Sequence, residues 1–183
     1  MRGWIQHPSQ SIGCRCGTKN VPEEPADHAL GRSRGGWGSK LHLVTDGAGL
    51  PLAVEVSAGQ AHESQWFEPV MNAVRIKQPL GRPRTRPYAV AGDRAYSATA
   101  IRDWLRRHKI SAVIPTRANE RKKISFDCEK YRQRNVVERC INWLKEARRI
   151  ATRYEKLAVN FLAMAKLAII QRCFRVLDSS DRP

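Results

Sequence analysis

Apolar and polar residues begin to alternate at Lys40. Leu41 to Thr45 (LHLVT) and Pro51 to Ser57 (PLAVEVS) each carry a two-residue period, and Asp46-Gly47-Ala48-Gly49 between them is a turn signal. The pattern predicts a β-hairpin. Over residues 63–75 the period changes: Trp66, Phe67, Val70, Met71 and Val74 mark one face of a helix. Tyr88 to Ala91 is a short apolar strand followed by Gly-Asp-Arg-Ala-Tyr, with Ser97 as the expected N-cap of a helix bearing Ile101, Trp104 and Leu105. Ser111 to Ile114 forms another strand, closed by Pro115, so this stretch predicts a β-α-β unit. A helix is expected from about Tyr131 into the 150s, with Val137, Ile141 and Leu144 as its apolar stripe. A last apolar helix is expected from about Val159 to Leu177. Residues 1–38 are rich in Gly, Pro and Ser with no sustained period, and GRSRGGWGS (Gly31 to Ser39) is expected as a flexible basic loop. The fold class is α/β.

Charge changes this picture from a generic domain to one facing a polyanion. The 183 residues are 42% hydrophobic, enough for one domain with a core. Lys and Arg number 33 against 17 Asp and Glu, a net charge of +16. Residues 1–30 are balanced: Arg2, Arg15 and Lys19 against Glu23, Glu24 and Asp27. The surplus therefore lies on the part expected to fold, and nucleic acid is the default partner. Five scattered cysteines argue against a disulfide framework and for a reducing compartment. The longest apolar run, Phe161 to Ile170, is interrupted by Lys166 and is too short to span a bilayer. A cytoplasmic, nucleoid-associated protein without a membrane partner is expected.

The candidate chemistry is concentrated in YRQRNVVERCINWLK. If that stretch is one helix, Tyr131, Arg134 and Lys145 fall at about +20°, −40° and −20° from Glu138, a narrow polar stripe. Arg134 and Glu138 are also an ordinary i,i+4 pair, the more common meaning of such spacing. Asp93 sits just past the carboxyl end of a predicted strand, where α/β sheets place function, although a turn aspartate is an equal reading. Two carboxylates from separate elements suit Mg2+, which takes one or two carboxylates besides phosphate and water. Paired ions about 3.5–4 Å apart activate the nucleophile and stabilise the leaving oxygen of an in-line displacement. His62 is a weaker metal-ligand candidate, and a loop histidine at such a place more often makes a hydrogen bond.

The spacing Tyr131-(2)-Arg134-(3)-Glu138-(6)-Lys145 resembles the YREK signature of DDE transposases from bacterial insertion sequences of the IS-four and IS-five type. The resemblance covers roughly residues 31–177. GRSRGGWGSKLHLVTDGAGLPL resembles the hairpin after that family's first catalytic strand, and AGDRAYSA the segment bearing its second catalytic Asp. It implies a ribonuclease-H-like, retroviral-integrase-type core dependent on Mg2+ or Mn2+. Asp93 and Glu138 would be catalytic and metal-binding. Tyr131, Arg134, Lys145, Arg32 and Arg34 would contact DNA. The partners implied are double-stranded DNA, namely terminal repeats and target, and further copies of the chain in a homo-oligomeric DNA complex.

One part of the family pattern is missing. Residues 1–30 hold a single Asp, Asp27, within VPEEPADHALG, and no apolar strand precedes it. Asp46 falls in the hairpin turn. The expectation is therefore a catalytic core over residues 31–178 lacking its first strand, after a non-homologous or poorly ordered segment 1–30 and before a tail 179–183. Either a truncated or frameshifted copy or a downstream reading frame accounts for this. Strand cleavage and transfer at element ends would then be weak or absent in this chain alone. The alternatives are a non-catalytic DNA-binding protein and a regulatory remnant that pairs with intact transposase.

Overall fold

The computed structural model describes residues 4–7, 9–14, 28–33, 35–118, 120 and 125–180. The chain divides into two compact units: residues 1–9, 42–55 and 62–140, and residues 10–41, 56–61 and 141–183.

In the first unit a parallel ribbon holds β1 (Trp4–His7), β6 (Ala89–Gly92) and β7 (Ser111–Val113). β6 pairs with β1 on one side, Gln6 opposite Ala91 and His7 opposite Gly92, and with β7 on the other. β1 in turn pairs antiparallel with β4 (Gly36–Thr45) through Gln6 and Thr45. Successive residues of β6 serve opposite faces, as the two-residue period requires. Val90 joins Val44 under α1 (Phe67–Ala73) and α2 (Thr99–Arg107), packing with Phe67, Val70, Met71, Ile101, Trp104 and Leu105. Ala89 and Ala91 join Val113 against Phe126 and Tyr131. Alanine at these two positions lets α3 (Cys128–Arg132) lie close over β6 and β7. The predicted β-α-β unit is thus present.

The expectation that the first strand is lacking is not met. β1 pairs along one edge of β6, so a strand does precede the hairpin. Its four residues, WIQH, have neither an apolar run nor a clear alternation. A strand held by backbone pairing on both sides needs no such pattern.

The hairpin expected at 41–57 is β4 with β5 (Pro51–Ala58). Asp46 closes the turn, its Oδ1 accepting from the backbone N–H of Ala48 at 2.9 Å and of Leu50 at 2.8 Å. Gly49 has φ +90°, and a Cβ there would stand 2.6 Å from Val136 Cγ1. Only glycine suits that backbone and lets the turn meet the start of α4 (Asn135–Glu146).

The second unit contains β2 (Ser9–Cys14) paired in parallel with β8 (Thr152–Arg153), and a small hairpin of β3 (Gly31–Ser33) with the start of β4. The supposed flexible loop GRSRGGWGS is therefore largely strand. Gly36 takes φ +103° at its turn, and Ser33 Oγ accepts from the N–H of Gly35 and donates to the carbonyl of Gly36. Arg32 and Trp37 face each other across the pair, both exposed. Arg153 is fully buried here. Its guanidinium donates to the carbonyls of Glu155 (2.8 Å), Lys156 (2.8 Å) and Ala29 (3.3 Å) and to Ser39 Oγ, and lies over the Phe161 ring. α5 (Arg148–Ala151) and α6 (Ala158–Ser180) complete the unit. Among the described residues no helix is long and apolar enough to cross a membrane.

Candidate active site

Asp93 follows β6 directly and caps a short 3-10 turn, Arg94–Tyr96, by accepting from the Ala95 N–H at 2.8 Å. It is thus a turn aspartate, and it stands at the carboxyl end of a parallel strand. The turn is pinned from outside. Arg117 donates to the carbonyls of Arg94 and Ala95, both at 2.9 Å. Arg102 donates to the carbonyls of Ser97 and Ile114. Ser97 does not cap α2 as expected. Its hydroxyl donates to Glu120 Oε1 at 2.6 Å, and Ala98 is the N-cap residue of α2, without a side-chain cap. Arg117 is thus a brace for the aspartate turn, legible only once the fold brings residues 94 and 117 together.

The helix expected from Tyr131 into the 150s is interrupted twice, at Gln133–Arg134 and at Ala147. The first break leaves the stripe usable. Gln133 keeps right-handed backbone angles (φ −72°, ψ −6°), and Arg134 and Val137 donate to carbonyls three residues back, Tyr131 and Arg134. Arg134 Nη2 donates to Glu138 Oε1 at 2.8 Å, and its guanidinium carbon stands 5.4 Å from the Tyr131 ring centre. Tyr131 is fixed in turn by an edge-on contact with Phe126, centroids 5.4 Å apart. Glu138 remains open, its side chain 49% exposed against 26% for Arg134. Val137, Ile141 and Leu144 are buried as their spacing predicts.

Electrostatics link Asp93 to this stripe. Burial pushes the Asp93 carboxyl above its ordinary range. The Ala95 N–H pulls it down, Glu63 pushes it up again, and the Arg134 guanidinium lowers it. The structure thus gathers Asp93, Arg134, Tyr131 and Glu138 into one unit. It adds Glu63, which sequence reasoning did not single out. Glu63 opens the 3-10 turn Glu63–Trp66 that abuts Arg94–Tyr96, a closeness that no local pattern announces. His62 caps that turn, its Nδ1 accepting from the Ser64 N–H and lying 2.6 Å from Ser64 Oγ, which is its ordinary reading.

Lys145 is half-buried near the end of α4 and belongs to the second unit, as does Arg32 on β3. Arg34 and Asp27 lie outside the described residues. A divalent-ion site of the two-metal type needs several converging hard ligands. Among the described residues no three His, Cys, Asp or Glu side chains converge to hold a metal. β1, the strand beside Asp93, offers Trp4, Ile5, Gln6 and His7, with no Asp or Glu. The described residues do not by themselves make up a complete two-ion site.

The sequence profile of the transposase DDE domain matches residues 19–171. The transposase named for insertion sequence element IS402 of Burkholderia cepacia is 34% identical over 146 residues, 79% of this chain and 67% of that protein. The one named for IS6501 of Brucella ovis is 28% identical over 131 residues, 71% of this chain and 93% of that protein. The piggyBac transposase, solved as a synaptic complex with hairpin DNA, shares the fold with TM-score 0.55 at 11% identity. That match covers 91% of this chain, which spans 45% of the piggyBac chain. The architecture is accordingly an α/β ribonuclease-H-like one, and the chain belongs to the transposase DDE domain family.

Proposed function

We propose that this chain is a DDE core that engages DNA at insertion-sequence ends and by itself carries out strand cleavage and transfer weakly or not at all. Asp93 and Glu138 are the catalytic carboxylates, with Arg134, Tyr131, Lys145, Arg32 and Arg34 contacting DNA. The reaction class is polynucleotidyl transfer in the cytoplasm, in a homo-oligomeric complex on terminal repeats and target. One observation carries this reading: Arg134 is paired with Glu138 and also lowers the carboxyl of Asp93, so both acidic groups share one cation within one unit. A guanidinium so placed offers a planar pair of donors to a phosphate entering between them.

Mg2+ or Mn2+ is the cofactor implied by the family. The carboxylate set among the described residues supports only part of that requirement. Phosphoryl transfer depends on positioning and charge neutralisation. A site with two recognised carboxylates and no acid on β1 supports binding more than turnover. Fluorescence anisotropy with a terminal-repeat duplex tests the assignment. Glu138→Gln should bind within about twofold of the parent, because the change removes a half-exposed surface charge. Arg134→Gln should bind at least several-fold more weakly. Equal binding by the parent and Arg134→Gln would remove Arg134 from the interface.

A further inference from the structure

Between α1 and β6 the chain makes an excursion that the active-site reading does not use. Ile76 and Arg84 form an isolated antiparallel bridge, with N–H to carbonyl distances of 2.9 and 2.8 Å in the two directions. The bridge pinches residues 77–83, KQPLGRP, into a tongue. Its base is anchored: Val74 is buried, Ile76 packs on the main core and Pro87 is buried. Gly81, at φ +90°, turns the tip, and Leu80 beside it is 92% exposed. Arg75, Lys77, Arg82 and Arg86 all face solvent, and none pairs with a carboxylate among the described residues. No Asp or Glu occurs between Glu68 and Asp93.

A singly exposed apolar side chain is ordinary on a protein surface, so Leu80 gains meaning only from its place at a turn tip among cations without carboxylate partners. One leucine does not build a protein interface, which needs about 800 Å² per partner around a buried cluster. Flanked by arginines that hold backbone phosphates, a single apolar side chain is what a base-step wedge uses. The geometry points to the tongue Arg75–Arg86 as a duplex-DNA contact in which Arg75, Lys77, Arg82 and Arg86 neutralise phosphates and Leu80 enters a base step. This rests on the DNA-acting reading above, but it concerns binding and needs no cleavage.

The test uses the full chain and a 30-base-pair duplex carrying 2-aminopurine at a TA step, the kind of step that unstacks most readily. Affinity is measured against salt concentration. Each phosphate contact contributes about 0.9 to the slope of log affinity on log salt. The combined variant Arg75→Ala, Lys77→Ala, Arg82→Ala, Arg86→Ala should therefore flatten the slope by about three to four. Replacing the three arginines by lysine should preserve it, which separates lost charge from lost folding. Leu80→Ala should keep the slope and abolish the rise in 2-aminopurine fluorescence on binding. An unchanged slope in the alanine variant overturns the tongue as a DNA contact while leaving the proposed function standing. Persistent fluorescence in Leu80→Ala overturns the wedge. A parent chain that binds no duplex at all overturns both readings.

Discussion

Arg153 and Asp93 are both charged groups withdrawn at least partly from water, and they are treated oppositely. In the second unit the Arg153 guanidinium is wholly buried, yet it donates to three carbonyl oxygens and a hydroxyl and rests on an aromatic face. In the first unit Asp93 is partly buried, its carboxylate accepts from the backbone N–H groups of Ala95 and Tyr96, and the charge of Glu63 opposes its ionisation. A buried charge that is fully partnered serves the fold, because its donors tie separate segments together. A partly buried charge held against its own preference costs stability and gains from an incoming cation or donor, the usual signature of a working site. The contrast sets a structural arginine apart from the aspartate proposed as functional.

The contrast can be broken most forcefully at Arg153. Arg153→Met leaves the carbonyls of Ala29, Glu155 and Lys156 without this donor, and should lower stability in urea unfolding by about 3–5 kcal/mol. A loss under about 1 kcal/mol would make Arg153 dispensable and the contrast empty. Asp93 should respond with the opposite sign. Its folded carboxyl is raised above the ordinary 3.8, so stability falls as pH rises from that value through the folded one. Asp93→Asn keeps an acceptor for the Ala95 N–H and removes the penalty. Its melting temperature should exceed the parent's at neutral pH, with the gain vanishing below the ordinary aspartate range. Melting curves across pH that run parallel would contradict this. The smallest effect is expected from Glu63→Gln, which removes only one contributor. It should lower the Asp93 carboxyl titration followed by carbon-detected NMR, whereas Arg134→Gln should raise it.

Elements built from local pattern were legible in the sequence. The β4–β5 hairpin followed from alternation around Asp46-Gly47, and the β6-α2-β7 unit from a strand, a turn and an apolar helix face. Elements defined by pairing were not. WIQH becomes β1 because neighbours on both sides supply backbone partners, and glycines that spelled a loop at 31–39 serve the tight β3–β4 turn. The stripe Tyr131–Arg134–Glu138 was visible because a helical period survives one 3-10 turn, but the break at Gln133–Arg134 has no proline or glycine to mark it. Glu63 and Arg117 reach the Asp93 turn from 30 and 24 residues away in sequence, distances at which residue type alone carries no signal.

The proposal is that Asp93 and Glu138 act as the catalytic carboxylates, with no Asp or Glu on β1 to complete them. Its most direct test is nicking of a supercoiled plasmid bearing the terminal repeats, by the purified 183-residue chain with Mg2+ or Mn2+. The predicted result is salt-sensitive binding to the plasmid with little or no nicking, at the same level in Asp93→Ala. Robust metal-dependent nicking that Asp93→Ala abolishes would contradict it.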